Sequence, residues 1–368
     1  MKNILICFGT RPEAIKMAML CKAFDSQKIQ YKLCVTAQHR EMLDQVLNFF
    51  DLKPDYDLNL MKSNHSLNEL SSRILKEMDG IYKSEHFDLV LVHGDTTTSM
   101  IVALSAFYSN IHVGHIEAGL RTFDKNSPFP EEINRQLTGR IADYHFAPTI
   151  KAKANLIKEG VKLETILVTG NTVIDALEWT MIKLKSRLFA SESIKALQDK
   201  IDFSKKIILV TGHRRESFGV GFTNICNALK TIANQHSVEI IFPVHLNPQV
   251  KNTVFNLLSD ISNIHLIDPL DYPSFVWLMS RADLIISDSG GIQEEAPTLG
   301  VPVIVTRKTS ERAEGLEAGC SYLAGTDIDL ICKYAEELLD KQKQEFFENP
   351  YGDGKACKRI AKFIISNF

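Results

Sequence analysis

Charged and small residues cluster in six stretches of this 368-residue chain, most of them directly after an apolar run. Open α/β sheets place their ligands at that position. In "FGTRPEAIK" (8–16), Gly9 allows a tight turn, Thr10 or Arg11 can cap, and Pro12 suits the first turn of a helix. Exposed N–H groups and the helix dipole there favour an anion. Arg11 adds a forked donor set, and Lys16 a point charge one turn further in. The alternative is a plain capped helix with a surface arginine. A dinucleotide site is disfavoured, because two of the three glycines of that fingerprint are missing.

"VHGDTTTSM" (92–100) ends an apolar run with Asp95, either a ligand-facing carboxylate or a helix N-cap. "GHIEAGLRT" (114–122) repeats the layout with Glu117 and Arg121. "PFPEEINRQLTGRIAD" (128–143) opens a helix at Pro130 with Glu131 and Glu132 in its first turn, where the helix dipole alone favours acids. These segments are expected to bring Asp95, Glu117 and Glu131 into one cleft. Three carboxylates together are costly unless they move protons or neutralise Arg11 and Arg135.

"VTGHRRESFG" (210–219) has the same glycine-then-base logic: His213 and Arg214 form an anion site by type, and the histidine can donate a proton. In "SDSGGIQEEAP" (287–297), Ser289, Gly290 and Gly291 make a small-residue loop suited to a diphosphate. Glu294 and Glu295 follow one turn in, where a carboxylate accepts from ribose hydroxyls, and Pro297 ends or kinks the helix. "YPSFVWLMSRAD" (272–283) is spaced as core, with Phe275 in reach of a base as the lesser alternative.

The elements that must carry these residues alternate. Strand-like runs at 3–8, 31–37, 87–94, 112–118 and 166–170 are separated by helical patterns such as "EAIKMAMLCKAF" and "EMLDQVLNFF". The rhythm restarts at 205–213, 238–245, 263–268, 282–291 and 301–307, after a helical stretch at 171–204. This predicts an α/β protein of two Rossmann-like, doubly wound domains facing a cleft. The expected domains are 1–170 and 171–354, with a C-terminal helix at about 355–368 packing back on the first. Apolar residues make up 45% and charged residues 24%, and the net charge is −3, so nothing points to nucleic acid or an acidic membrane. Seven scattered cysteines show no CxxC pair and no zinc spacing, which suggests a reducing compartment and no metal. No apolar run reaches the ~20 residues of a membrane span, and the N-terminal apolar run is too short for a signal-peptide core; a cytoplasmic enzyme is expected.

Together with "VTAQHREMLDQV", "TGNTVIDAL", "PVHLNP" and "NPYGDG", these motifs resemble those of the non-hydrolysing UDP-N-acetylglucosamine 2-epimerase family over essentially the whole chain. The resemblance implies two GT-B-type domains with UDP mainly on the second. Ser289, Gly290, Gly291 and His213 would hold the diphosphate, Glu295 the ribose, and the backbone at Leu270 with the ring of Phe275 the uracil. Arg11, Lys16 and Arg312 would reach the phosphates or the sugar, and Asp95, Glu117 and Glu131 the sugar ring. A second UDP-GlcNAc bound as activator would meet Gln38, Arg40, Glu41 and Gln45, and a homodimer is implied. Two positions depart from the pattern: Ala313 stands where proline is usual, and Leu270 where a polar residue is common.

The chemistry that follows is an elimination. The C2 hydrogen of the sugar is not acidic, and the sequence provides for no nicotinamide. Loss of UDP across C1 and C2 gives 2-acetamidoglucal, and re-addition with protonation on the other face gives UDP-ManNAc. Rival expectations are a hydrolysing epimerase releasing free ManNAc, an epimerase for a modified UDP-sugar, a retaining glycosyltransferase, and a non-catalytic UDP-sugar sensor.

Overall fold

The computed structural model describes residues 2–36, 40–60, 66–186, 189–341 and 348–368. They form two compact units, Met1–Ala176 with Tyr351–Phe368, and Leu177–Pro350. The first holds strands β1 (Ile4–Phe8), β2 (Tyr31–Val35), β3 (Tyr56–Asp57), β4 (Leu89–His93), β5 (His112–Ile116), β6 (Tyr144–Ala147) and β7 (Ile166–Val168). They lie in the order β3-β2-β1-β4-β5-β6-β7, with every paired neighbour parallel. The second holds β8 (Lys206–Thr211), β9 (Val238–Pro243), β10 (Ile264–Ile267), β11 (Leu284–Ser287), β12 (Val303–Val305) and β13 (Ser321–Leu323). Their order is β10-β9-β8-β11-β12-β13, again parallel throughout.

β1, β4 and β11 are buried along their whole length. Strands covered by helices on both faces need apolar residues at every position, which is why they read as unbroken runs rather than alternations. In each sheet the chain order reverses once, between β1 and β4 in the first unit and between β8 and β11 in the second. Those two reversal points are where a doubly wound sheet opens a crevice at its carboxyl edge.

The stretch 171–204 is two helices, Thr172–Lys185 and Glu192–Lys200. The C-terminal helix Ala356–Asn367 packs against Arg11–Ser26 in the first unit. Its start is capped from elsewhere in the chain: Asp175 accepts from the N–H groups of Ala356 and Cys357, at 3.1 and 2.9 Å. Strands β3, β6 and β13 are elements the sequence pattern did not mark. They are two to four residues long, and β6 follows a helix after a break of only two residues. Among the described residues no helix is long and apolar enough to cross a membrane.

Candidate active site

In the first unit β1 leads through Gly9 into the helix Arg11–Ser26, and Thr10 is the N-cap. A Cβ at Gly9 would lie 2.2 Å from Thr36 Oγ1 and 2.5 Å from Thr98 Oγ1, so the close approach of these two threonines is what demands glycine here. The expected row of open backbone donors is also different from what the fold builds. The N–H groups of Gly9 and Thr10 donate to Glu13 Oε2, at 3.0 and 2.8 Å. Thr10 and Glu13 form a capping box, so the chain's own carboxylate already sits where an anion was expected. Positive charge at this edge comes from side chains instead. Arg11 is half-buried, and the buried Lys16 forms an ion pair with Glu117.

β4 delivers Asp95 through Gly94, and Thr96 caps the next helix, Thr97–Tyr108. Capping therefore does not account for Asp95. Its carboxylate lies 3.2 Å from Arg135 Nη2, while its carbonyl accepts from Asn134 Nδ2 at 2.9 Å. Glu117 follows β5 in the left-handed region, with φ of 63°. A non-glycine residue pays roughly 1–3 kcal/mol for that conformation, and such strain concentrates at functional sites. Asn171 Nδ2 donates to Glu117 Oε2 at 2.8 Å, and His93 Nε2 lies 3.9 Å from the same oxygen. Burial holds the His93 imidazole down at about 4, so at neutral pH an uncharged ring stands beside this carboxylate.

The helix Glu131–Ile141 separates the two adjacent acids of its first turn by role. Glu132 is buried and accepts from Thr122 N, Phe123 N and Gln136 Nε2 at 3.0, 3.1 and 2.8 Å, so it fixes the preceding loop. Glu131 Oε2 and Arg135 Nη1 are buried atoms with no hydrogen-bond partner. Buried polar atoms are nearly always satisfied, so these two are candidate contacts for a bound ligand. The structure thus brings Arg11, Lys16, Asp95, Glu117, Glu131 and Arg135 to the carboxyl edge of one sheet.

In the second unit β8 ends at Thr211, and Gly212 and the exposed His213 follow. Asp288, just after β11, accepts from the N–H groups of His213 and Arg214 at 2.7 and 2.8 Å. Its other oxygen is 3.0 Å from His213 Nδ1. Burial pushes the Asp288 carboxyl up, but the His213 ring and these two N–H groups outweigh it and leave the group below the ordinary range. His245 stacks on His213 with ring centroids 5.9 Å apart.

Ser289 is the N-cap of the short helix Gly290–Glu295, which Pro297 turns into a 3-10 segment, Ala296–Leu299. A Cβ at Gly290 would be 2.8 Å from Arg312 Cζ, so a side chain there would push the guanidinium away from the loop. Arg312 lies against this loop, donating from Nε and Nη2 to Glu294 Oε1 at 3.0 and 2.9 Å and pairing with Glu311. Arg312 and Arg307 overcome the effect of burial and hold Glu311 down at about 2. Glu294 is therefore taken up by Arg312, whereas Glu295 Oε1 accepts from Tyr272 OH at 3.0 Å. Tyr272 opens the helix that carries the half-buried Phe275, and the half-buried Leu270 lies two residues before it.

The residues expected to meet an activator fall on the helix Arg40–Phe49, where Arg40 pairs with Asp44 and Asp57 and both Glu41 and Gln45 are exposed. Gln38 lies outside the described residues. Sequence reasoning missed Glu13, Asn171 and Asp288. The Thr10/Glu13 spacing is a capping-box signature and would have exposed the first; contacts distant in sequence define the other two.

A family model described as UDP-N-acetylglucosamine 2-epimerase matches residues 22–365. A UDP-N-acetylglucosamine 2-epimerase of Campylobacter jejuni is 51% identical, over 99% of this chain and 97% of its own length. Among solved structures, UDP-GlcNAc 2-epimerase from Neisseria meningitidis bound to UDP-GlcNAc has a TM-score of 0.93 and 46% identity, covering 99% of this chain and 100% of that one. The enzyme of Methanocaldococcus jannaschii, in complex with UDP-GlcNAc and UDP, has a TM-score of 0.86 and 34% identity with full coverage of both chains.

Proposed function

Because this chain belongs to the UDP-N-acetylglucosamine 2-epimerase family, we propose that it interconverts UDP-GlcNAc and UDP-ManNAc without hydrolysis, by eliminating UDP and adding it back. The observation that carries this is the set of three carboxylates at one sheet edge, each in a different setting. Asp95 is paired with Arg135, Glu117 is strained and paired with Lys16, and Glu131 has a buried oxygen with no partner. A simple binding protein has no use for that cost.

In our reading Asp95 and Glu117 exchange the C2 proton and Glu131 adjusts their protonation. The C1–oxygen bond breaks as the C2 proton leaves, and its electrons depart with the diphosphate. Arg11, Lys16 and Arg135 offset the charge that develops. In the second unit Ser289, Gly290 and Gly291 take the diphosphate with His213 and Arg214, and Glu295 takes the ribose. Phe275 and the backbone at Leu270 frame the uracil, while Arg312 steadies the glycine loop. Arg40, Glu41 and Gln45 would meet an activating second UDP-GlcNAc. Exposed Phe107, Tyr108, Ile133 and Leu137, on two helices that pack together, offer an apolar face for a homodimer. The cytoplasm, where UDP-sugars are made and cysteines stay reduced, is the proposed location.

Incubating the protein with UDP-GlcNAc in deuterated water, with no added metal or nicotinamide, tests the reading. UDP-ManNAc labelled at C2 is expected in the proton spectrum. Unlabelled product refutes elimination, and free ManNAc in place of UDP-ManNAc establishes hydrolysis.

A further inference from the structure

We propose that Glu13 is a positioning residue that locks the Arg11 turn to the Asp95 turn through a single carboxylate. Glu13 is 2% exposed. One of its oxygens accepts from Gly9 N and Thr10 N, and the other accepts from Thr96 Oγ1 at 2.8 Å and Ser99 Oγ at 3.0 Å. Three donors, two N–H groups and the Thr96 hydroxyl, thus hold both oxygens, and the Ser99 hydroxyl shares its single proton between Glu13 and the His93 carbonyl.

An ordinary capping box serves one helix. Here Thr10 caps the helix that begins at Arg11, and Thr96 caps the one that begins at Thr97, accepting from Ser99 N at 3.0 Å. Glu13 bonds to both caps. Arg11 stands one residue after the first and Asp95 one residue before the second, so Glu13 ties together the two backbone turns that carry these side chains. Thr36 and Thr98, joined at 2.9 Å beneath Gly9, close the same junction from below. Burial pushes the Glu13 carboxyl up, and the bonds from Thr96, Thr10, Gly9 and Ser99 pull it back. The arrangement places a costly buried carboxylate at the crevice between β1 and β4, where a cap for one helix alone needs none.

This rests on the elimination reading, in which a cation and an acid–base carboxylate act on opposite sides of one bond. If Glu13 sets their separation, loosening it impairs turnover more than binding and lets the glucal escape before UDP returns. The experiment compares wild type with Glu13→Ala, Glu13→Gln and Thr96→Val. It measures kcat, KM, thermal midpoint and the share of turnovers that end in free UDP and 2-acetamidoglucal.

For Glu13→Ala, kcat is expected to fall roughly tenfold to a hundredfold, the scale of a small misplacement of reacting groups, with little change in KM and more released glucal. Glu13→Gln keeps an acceptor for the two N–H groups and an amide for the two hydroxyls, and should recover part of both readouts. A lower midpoint with unaltered kcat and product partition would reduce Glu13 to a helix cap and overturn the proposal. Should Glu13→Ala fail to fold, Glu13→Gln and Thr96→Val decide by the same two readouts. A wild-type protein that makes no UDP-ManNAc refutes the functional reading itself, which is a separate result.

Discussion

An alanine methyl at position 9 would collide with two threonine hydroxyls, at 2.2 and 2.5 Å, in a junction already closed by their mutual hydrogen bond. Gly9→Ala is therefore expected to cost about 1–3 kcal/mol, the usual range for overpacking, and to lower the thermal midpoint; an unchanged midpoint would show that the turn simply moves aside. At Gly290 a side chain would meet the Arg312 guanidinium, which must move aside to admit it. Both glycines are legible in the sequence as turn residues next to strands. Their physical reason is not, because the atoms that a side chain would meet come from positions 36, 98 and 312. Glu131 and Glu132 make the point again. They are adjacent and alike on paper, yet one has a buried oxygen with no partner and the other ties down a loop.

Among the elements, the C-terminal helix Ala356–Asn367 has no side-chain cap of its own. Asp175, on Thr172–Lys185, supplies it by bonding two first-turn N–H groups. Asp175→Ala should leave those donors unsatisfied in a buried place and cost about 1–3 kcal/mol. Hydrogen exchange would show it as faster exchange over 356–367; equal exchange in wild type and variant would mean the cap is idle. That the helix exists was readable from its amphipathic spacing. Its cap was not, since Asp175 is about 180 residues upstream and looks like any polar position in a helix.

The two units should respond differently to acid. His93, His115 and His145 lie on β4, β5 and β6 of the first unit, and burial holds their imidazoles at about 4, 3 and 4. The unfolded chain, with histidine near 6.5, takes up these protons first, so stability falls as pH drops below about 6.5 and keeps falling toward 4. The shifts correspond to roughly 3 kcal/mol for His93 and His145 and roughly 5 kcal/mol for His115 at their limits. The buried carboxyls of Glu13 and Asp175 are raised and work the other way, because the folded state takes up their protons first. With three histidines against them, a net loss is expected. Denaturant unfolding at pH 7 and pH 5 should show the first unit weakened more than the second, with 2–36 and 89–147 losing hydrogen-exchange protection first. Equal or greater stability of the first unit at pH 5 would contradict this.

The α/β class and most strands were legible in the chain, since sheets covered on both faces require unbroken apolar runs such as "LVLVH" and "LIIS". It also marked the residues at the strand ends, because chemistry must sit where the apolar run stops. How those residues pair was settled only by the folded chain. Glu13 fills the anion position at the first turn, Arg312 takes Glu294 out of play, and Lys16 and Asn171 converge on Glu117 from positions about 100 and 54 residues away. Hydrogen bonds and charges pair by distance in space, and only the folded chain sets that distance.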